Sequence, residues 1–179
     1  MILDSKSLKI KGVKLFTINS YKDNRGSFSE VFLSNLIYQE FKINYIQENE
    51  SVSDYGVFRG MHFQKGKYSQ SKLIRVINGE VLDIIYDLRK SSSSFGKYLS
   101  INLLPGNILF VPKGVAHGFL SLKENTILNY KCDNLYNPES ESGFNIFKSK
   151  LNLILQDYKV IISDKDKSLP SLKDCYTFN

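Results

Sequence analysis

Short apolar runs broken by turn residues recur along the chain, with little helical periodicity, and this pattern constrains the fold more than any other feature. The candidate strands are residues 8–16, 28–32, 45–49, 57–63, 72–77, 80–87, 98–103, 108–111, 117–121 and 126–131. Asn78-Gly79 stands between two of these runs and reads as a hairpin turn, because both positions favour positive φ. Pro105-Gly106 and Pro112-Lys113-Gly114 mark two more turns. One helix is expected, with Ser34 as N-cap and Ile37 and Phe41 on one face. The serines at 91–94 read as a loop tip, and the tail after Gly143 as short helix and loop packed on a barrel. Many short strands at such spacing predict an all-β sandwich or barrel. No repeat, low-complexity segment or linker divides the sequence, so residues 1–179 are read as one domain.

Composition narrows the function classes. Lysine and arginine exceed aspartate and glutamate by 24 − 18, a net charge of +6. The basic residues are scattered, with no block of five like charges, so most read as a solvated surface. A small anionic ligand needs only a few placed cations, whereas the aromatic–basic motifs of nucleic-acid modules are missing. The two cysteines, Cys132 and Cys175, have no spacing that implies a disulfide framework. The first sixteen residues interleave lysine with apolar residues, unlike a signal peptide, and no apolar run approaches the ~20 residues that span a bilayer. A reducing, cytoplasmic location, with no membrane partner, is the expectation.

His62 and His117 are the only histidines, and each follows a glycine-containing, turn-like segment. A lone histidine in a strand protein is more often structural than catalytic. From Gly106 the order is glycine, five residues, proline, one residue, glycine, two residues, then His117. That spacing resembles the second signature of the cupin superfamily, whose fold is a double-stranded β-helix, or jelly roll. Metal-binding cupins complete their site with further histidines, which this chain lacks. No metal and no cofactor are therefore expected, and a cupin oxygenase is disfavoured.

The stretch Gly56-Val57-Phe58-Arg59-Gly60-Met61-His62-Phe63-Gln64, followed by Gln70-Ser71-Lys72-Leu73-Ile74-Arg75-Val76, is more specific. Asp23-Asn24-Arg25-Gly26-Ser27-Phe28-Ser29-Glu30 precedes it, and Ala116-His117-Gly118-Phe119, residues 130–141 and Ser163-Asp164-Lys165-Asp166 follow. In order, these blocks resemble the dTDP-4-dehydrorhamnose 3,5-epimerase family of cupins over roughly residues 8–170. The resemblance implies a jelly-roll barrel with short peripheral helices. It also implies a homodimer acting on a dTDP-linked 4-keto sugar, with sites that share residues of both chains.

In that family pattern His62 matches the base, Asp166 the carboxylate that orients it, Tyr130 the acid on the opposite face, and Lys72 the cation near the sugar C4 oxygen. Tyr136 matches the ring stacked on thymine, and Arg59, Arg25 and Lys165 match groups near the diphosphate. Glu30, Gln47, Asn49, His117 and Glu141 match other ligand-contacting positions. These residue types suit the reaction: a C–H beside a ketone is so weak an acid that its enolate must be stabilised as the proton leaves.

The residues themselves add two points. In a regular strand Lys72 shares a face with Ile74 and Val76 and so points into an apolar barrel; a surface lysine on an edge strand is the less favoured alternative. Arg59 and His62 are three apart and would face opposite ways under strict alternation. Either Gly60 permits a bulge, or Arg59 reaches the ligand from the barrel mouth. Where family members commonly carry tryptophans after Tyr136, this chain has Phe144, Phe147 and Leu155. Two other functions remain open at this point. One is single-centre epimerisation of a related nucleotide 4-keto sugar; the other is a non-catalytic sugar-binding cupin.

Overall fold

A computed structural model describes residues 2–179. The early strands are β1 (Ile2–Ser7), β2 (Lys14–Ile18), β3 (Tyr21–Asp23) and β4 (Gly26–Phe28), followed by helix α1 (Ser34–Phe41). Next come β5 (Gln47–Ser53), β6 (Val57–Gln64), β7 (Lys72–Asn78), β8 (Val81–Asp87) and β9 (Tyr98–Leu103). Then follow β10 (Asn107–Val111), β11 (Val115–Ser121), β12 (Thr126–Cys132), β13 (Glu141–Gly143), β14 (Ile161–Ile162) and helix α2 (Asp164–Ser168). The first large sheet runs β1-β2-β10-β7-β12-β5 and the second β13-β6-β11-β8-β9, with β14 parallel beside β6. The short β3–β4 hairpin stands by itself.

Consecutive strands mostly lie in different sheets. From β5 to β12 every connection crosses from one sheet to the other, except β8 to β9. This alternation defines the jelly roll. It also corrects the reading of Asn78-Gly79: the turn joins strands that are not paired, since β7 pairs with β10 and β12 while β8 pairs with β9 and β11. Gly79 has φ +84°, so the residue supplies the expected left-handed turn, but at a corner between sheets.

Alternation on each strand builds three apolar layers. Ile74, Val76, Leu109, Val111 and Leu128 of the first sheet meet Val81, Ile85, Val115 and Phe119 of the second in the central layer. The reverse face of the first sheet presents Phe16, Leu73, Ile108 and Phe110, which α1 covers through Ile37. The reverse face of the second presents Phe58, Met61, Ile84 and Leu120, covered by the C-terminal tail with Phe144, Ile146, Leu151 and Leu155. Phe144 is fully buried and Leu155 nearly so, and Phe147 meets the Phe58 ring edge-on, so smaller rings and an aliphatic residue fill this flank without tryptophan. The tail is mostly short helix and loop, as expected, with 3₁₀ turns at Ile146–Lys148 and Lys150–Leu155, but Ile161–Ile162 form β14 beside β6.

Several element boundaries differ from expectation. The run at 8–16 contains a turn, closed by the Leu8 N–H on the Val13 carbonyl and the Val13 N–H on the Ile10 carbonyl. Ile10 and Val13 still enter the core, which is why the run looks strand-like. The run at 28–32 leaves the sheet after Phe28, and Val31 and Phe32 pack beside α1 instead. The helix begins one residue earlier than expected, with Leu33 as N-cap and no side-chain cap. The serines do lie in a loop, with Ser91 and Ser93 exposed, but Ser92 and Ser94 turn inward to donate to the Asp87 carboxylate, and Ser94 is buried.

The bulge question has a direct answer. His62 pairs with His117 and Arg59 with Phe119, so three steps on β6 oppose two on β11. Arg59 and His62 therefore reach the same face. Gly60, at φ +140°, sits in the bulge, where an added Cβ would lie 2.5 Å from the Gly118 Cα. Gly118 is equally confined, since a Cβ there would meet Met61 Sδ at 2.8 Å and the Arg59 carbonyl at 2.9 Å.

Two predictions follow from this packing. Gly118→Ala should cost about 1–3 kcal/mol in urea unfolding by forcing the two strands apart; a loss below about 0.5 kcal/mol would show that the contact yields freely. The second concerns Asp87, which is fully buried and accepts hydrogen bonds from the Arg89 backbone and guanidinium, Ser92 and Ser94. Burial pushes its carboxyl up, but these bonds outweigh it and hold the pKa at about 2. A depressed folded-state pKa stabilises above the unfolded value and is lost as pH falls through the folded one. Stability of about 2 kcal/mol should thus disappear between roughly pH 4 and 2. In Asp87→Asn, urea midpoints should change less over that interval; an identical acid limb would assign the loss to other carboxylates.

Candidate active site

The gap between the two sheets opens into a cavity of about 630 Å³, continuous through shared residues with a smaller one of about 220 Å³. Asn49, His62, Lys72 and Tyr130 line both. The second sheet supplies His62 and His117 from paired positions on β6 and β11. The first supplies Asn49 from β5, Lys72 from β7 and Tyr130 from β12, with Tyr130 directly paired to Asn49.

His62 is bound by the C-terminal segment. Its Nε2 lies 2.7 Å from Asp166 Oδ1, while Asp166 Oδ2 accepts the Gly60 N–H at 3.1 Å. Asp166 sits in α2, whose N-cap Ser163 accepts the Asp166 N–H. Burial raises the Asp166 carboxyl, but the His62 hydrogen bond and charge and the Gly60 N–H bring it below the usual range. An ionised carboxylate only accepts, so Nε2 carries the proton of this hydrogen bond and Nδ1 is the ring nitrogen left to meet a ligand. His62 keeps 30% of its side chain exposed, enough to meet a ligand.

A second histidine–carboxylate pair lies beside the first. His117 Nε2 is 2.7 Å from Asp83 Oδ2, and both residues are buried. Burial drives the His117 pKa down, partly offset by the Asp83 charge and hydrogen bond. Asp83 had no role in the sequence reading. Its signal was a carboxylate on the inward face of β8, between Val81 and Ile85.

Lys72 shares the inward face with core residues Ile74 and Val76, as its alternation predicts. Among the described residues no carboxylate lies within 4 Å of its ammonium, which stands 5.6 Å from the Tyr130 ring centre. Burial lowers its pKa, with partial compensation from Cys132, Asp83 and Glu141. Burial raises the Tyr130 phenol, which therefore keeps its proton across the neutral range. The site thus sets an imidazole on one sheet against a phenol, and an amine with no carboxylate in contact, on the other.

Arg59 stands at the cavity wall, donating to Ser53 Oγ at 3.1 Å and to the Val52 carbonyl at 3.2 Å. Lys165 reaches the same cavity and binds both oxygens of Glu141 at 2.7 and 2.8 Å. At the smaller cavity the Tyr136 phenol donates to Glu141 Oε2 at 2.6 Å, and Gln47 donates to Asn49 Oδ1 at 3.0 Å. Burial raises Glu141, but Lys165 and Tyr136 bring it below the usual range. Arg25 and Glu30 line neither cavity: Arg25 lies at the β3–β4 hairpin, paired with Asp23, and Glu30 in the exposed segment after it. Among the described residues no group of three or more His, Cys, Asp and Glu side chains is arranged to hold a metal.

Comparison by sequence points to one family, and the similar solved structures include, besides its members, a 3'-monoepimerase from Streptomyces bikiniensis with a TM-score of 0.87 at 26% identity, covering 93% of this chain and 86% of its own. The family model described as dTDP-4-dehydrorhamnose 3,5-epimerase matches residues 7–174. The protein of that name from Methanothermobacter thermautotrophicus is 41% identical over 163 residues, covering 86% of each chain. That from Escherichia coli K12 is 36% identical, covering 93% of this chain and 92% of its own. The crystal structure of the Sulfolobus tokodaii protein superposes with a TM-score of 0.87 at 37% identity, over the full length of both chains. A Legionella pneumophila epimerase solved with dTDP-4-keto-L-rhamnose superposes equally well, at 31% identity over 96% of this chain and 93% of its own. Matched in sequence over most of its length and in fold, the chain belongs to the dTDP-4-dehydrorhamnose 3,5-epimerase family.

Proposed function

We propose that this chain inverts C3 and C5 of dTDP-4-dehydro-6-deoxy-D-glucose, yielding dTDP-4-dehydro-L-rhamnose. The observation that carries this reading is the placement of base and acid on opposite walls of one cavity, His62 on the second sheet and Tyr130 on the first. Inversion beside a ketone requires that a proton leave one face and another arrive at the opposite face. His62 Nδ1 takes the α-proton, and Asp166 stabilises the imidazolium that forms. The Lys72 ammonium, with no carboxylate in contact, takes up the developing charge on the C4 oxygen. Tyr130 then delivers its phenolic proton from the other side.

The remaining residues hold the nucleotide. Tyr136, 48% exposed at the smaller cavity, offers a face for thymine, and Arg59 and Lys165 supply cations for the diphosphate. Gln47, Asn49, His117 and Glu141 complete the ligand contacts. Arg25 and Glu30 act in the partner's site of a homodimer, which accounts for their distance from the cavities of their own chain. Each step moves a proton between the substrate and a side chain, and the His62 imidazolium and Tyr130 phenolate left behind return to their starting states by exchange with solvent, so the scheme uses no metal or redox cofactor.

Turnover in D₂O tests the base. His62→Ala should lower deuterium entry at C3 and C5 by about 10²–10⁴-fold, the usual weight of a general base, while the protein stays folded. Asp166→Asn should lose activity on the same order by releasing the imidazole from its productive tautomer. Robust exchange in His62→Ala would assign the base elsewhere, and wild-type exchange at only one carbon would make the enzyme a single-centre epimerase.

Tyr130→Phe separates acid from base. The enolate should still form, because His62, Asp166 and Lys72 remain, and it should recover its proton mostly from the His62 side. NMR should therefore find deuterium incorporated with little net epimer. Wild-type epimer yield would identify another group, or water, as the acid.

A further inference from the structure

The segment that carries Tyr136 belongs to neither sheet. Residues 133–137 run from the end of β12 to the 3₁₀ turn Pro138–Ser140, and their tip is open, with Leu135 57% exposed. Glutamines from three distant places nevertheless bind their backbone. Gln47 of β5 accepts the Tyr136 N–H through Oε1 at 2.7 Å. Gln64, buried at the end of β6, accepts the Asn137 N–H at 3.1 Å. Gln70, just before β7, donates to the Asn134 carbonyl at 2.8 Å.

We propose that Gln64 and Gln70, together with Gln47, clamp residues 133–137 so that Tyr136 stands ready as a stacking face for the nucleobase. Gln64 and Gln70 are then positioning residues for nucleotide recognition, acting through Tyr136. The inference rests on the reading of Tyr136 as the base-stacking residue. A loop without ladder bonds loses backbone freedom when a ligand orders it, and that loss weakens binding unless the loop is ordered beforehand. The phenol is fixed as well, through Glu141 and Lys165, so ring and backbone are both set before the ligand arrives.

The clamp has a polarity that mere space-filling lacks. A backbone N–H only donates, so Gln64 must accept; a carbonyl only accepts, so Gln70 must donate. A glutamate at position 64 keeps the acceptor, whereas an ionised glutamate at position 70 loses the donor. Both changes add a carboxylate, so binding is measured over a range of salt concentrations, and the difference that persists at high salt reports the hydrogen bond.

The test is calorimetric binding of dTDP, with steady-state kinetics on dTDP-4-dehydro-6-deoxy-D-glucose and thermal unfolding of each variant. Gln64→Met and Gln70→Met should each weaken dTDP binding and raise KM about fivefold, the worth of one net hydrogen bond. Saturated kcat should stay within about twofold, because the groups at the sugar are untouched. Gln70→Glu should bind dTDP about fivefold more weakly than Gln64→Glu. Unchanged affinity in both methionine variants overturns the clamp, as do two glutamate variants that bind alike. A fall in kcat matching the fall in affinity, with earlier unfolding, also overturns it and assigns the glutamines to general stability. Wild-type protein that fails to bind dTDP would instead bring down the nucleotide reading, and the clamp with it.

Discussion

The buried carboxylate of Asp166 joins the parts of the molecule on which its chemistry depends. One oxygen takes the His62 imidazole and the other the Gly60 N–H in the bulge next to it. The imidazole of His62 and the backbone irregularity beside it are therefore held by a single side chain. That side chain comes from a short helix 104 residues further along, close to the C-terminus. The arrangement around His62 is incomplete until the tail has docked. Phe144, Ile146, Leu151 and Leu155 bring the tail down over the outer face of the second sheet, and burial there places Asp166 beneath the bulge. Apolar packing on one side of a sheet thus orients an imidazole on the other.

Sequence periodicity carried the strands and their faces well, because alternation reports directly on which side of a sheet is covered. Lys72 with Ile74 and Val76 is the clearest case: the inward cation could be read from spacing alone. The turn at Asn78-Gly79 shows where such reading stops. Its conformation was legible, since Gly79 does take positive φ, but the destination of the next strand was not. A left-handed corner looks the same in sequence whether the chain returns alongside itself or crosses to a facing sheet. Long-range pairing decides that.

The site was legible where residue type is scarce and specific, and obscure where partners are distant. With only two histidines, His62 and His117 had to be considered, and ordered blocks resembling a family gave them roles. The Asp83 partner of His117 went unassigned because it lies 34 residues away on a strand otherwise full of apolar residues. Gln64 and Gln70 were overlooked for another reason. A glutamine that binds backbone leaves no motif, since its partner can be any residue. Boundaries such as the turn inside 8–16 were hidden by burial: Ile10 and Val13 enter the core from a turn as readily as from a strand.

The division of His62 and Tyr130 between two sheets has a consequence for how such a site can diversify. The sheets meet through packed side chains, corner turns and the hydrogen bonds of Arg59 and Ser121 to β5, so a wall can be altered away from those bonds without remaking the other. A substitution behind β12 can shift the Tyr130 phenol along the sugar while His62 stays locked to Asp166. Enolate formation would survive such a change; the carbon that receives the returning proton would not be fixed. With His62 and Tyr130 in the roles proposed above, stereochemical outcome depends on the spacing between walls, and the apolar layer between the sheets, with Ile74 and Leu109, helps to set that spacing.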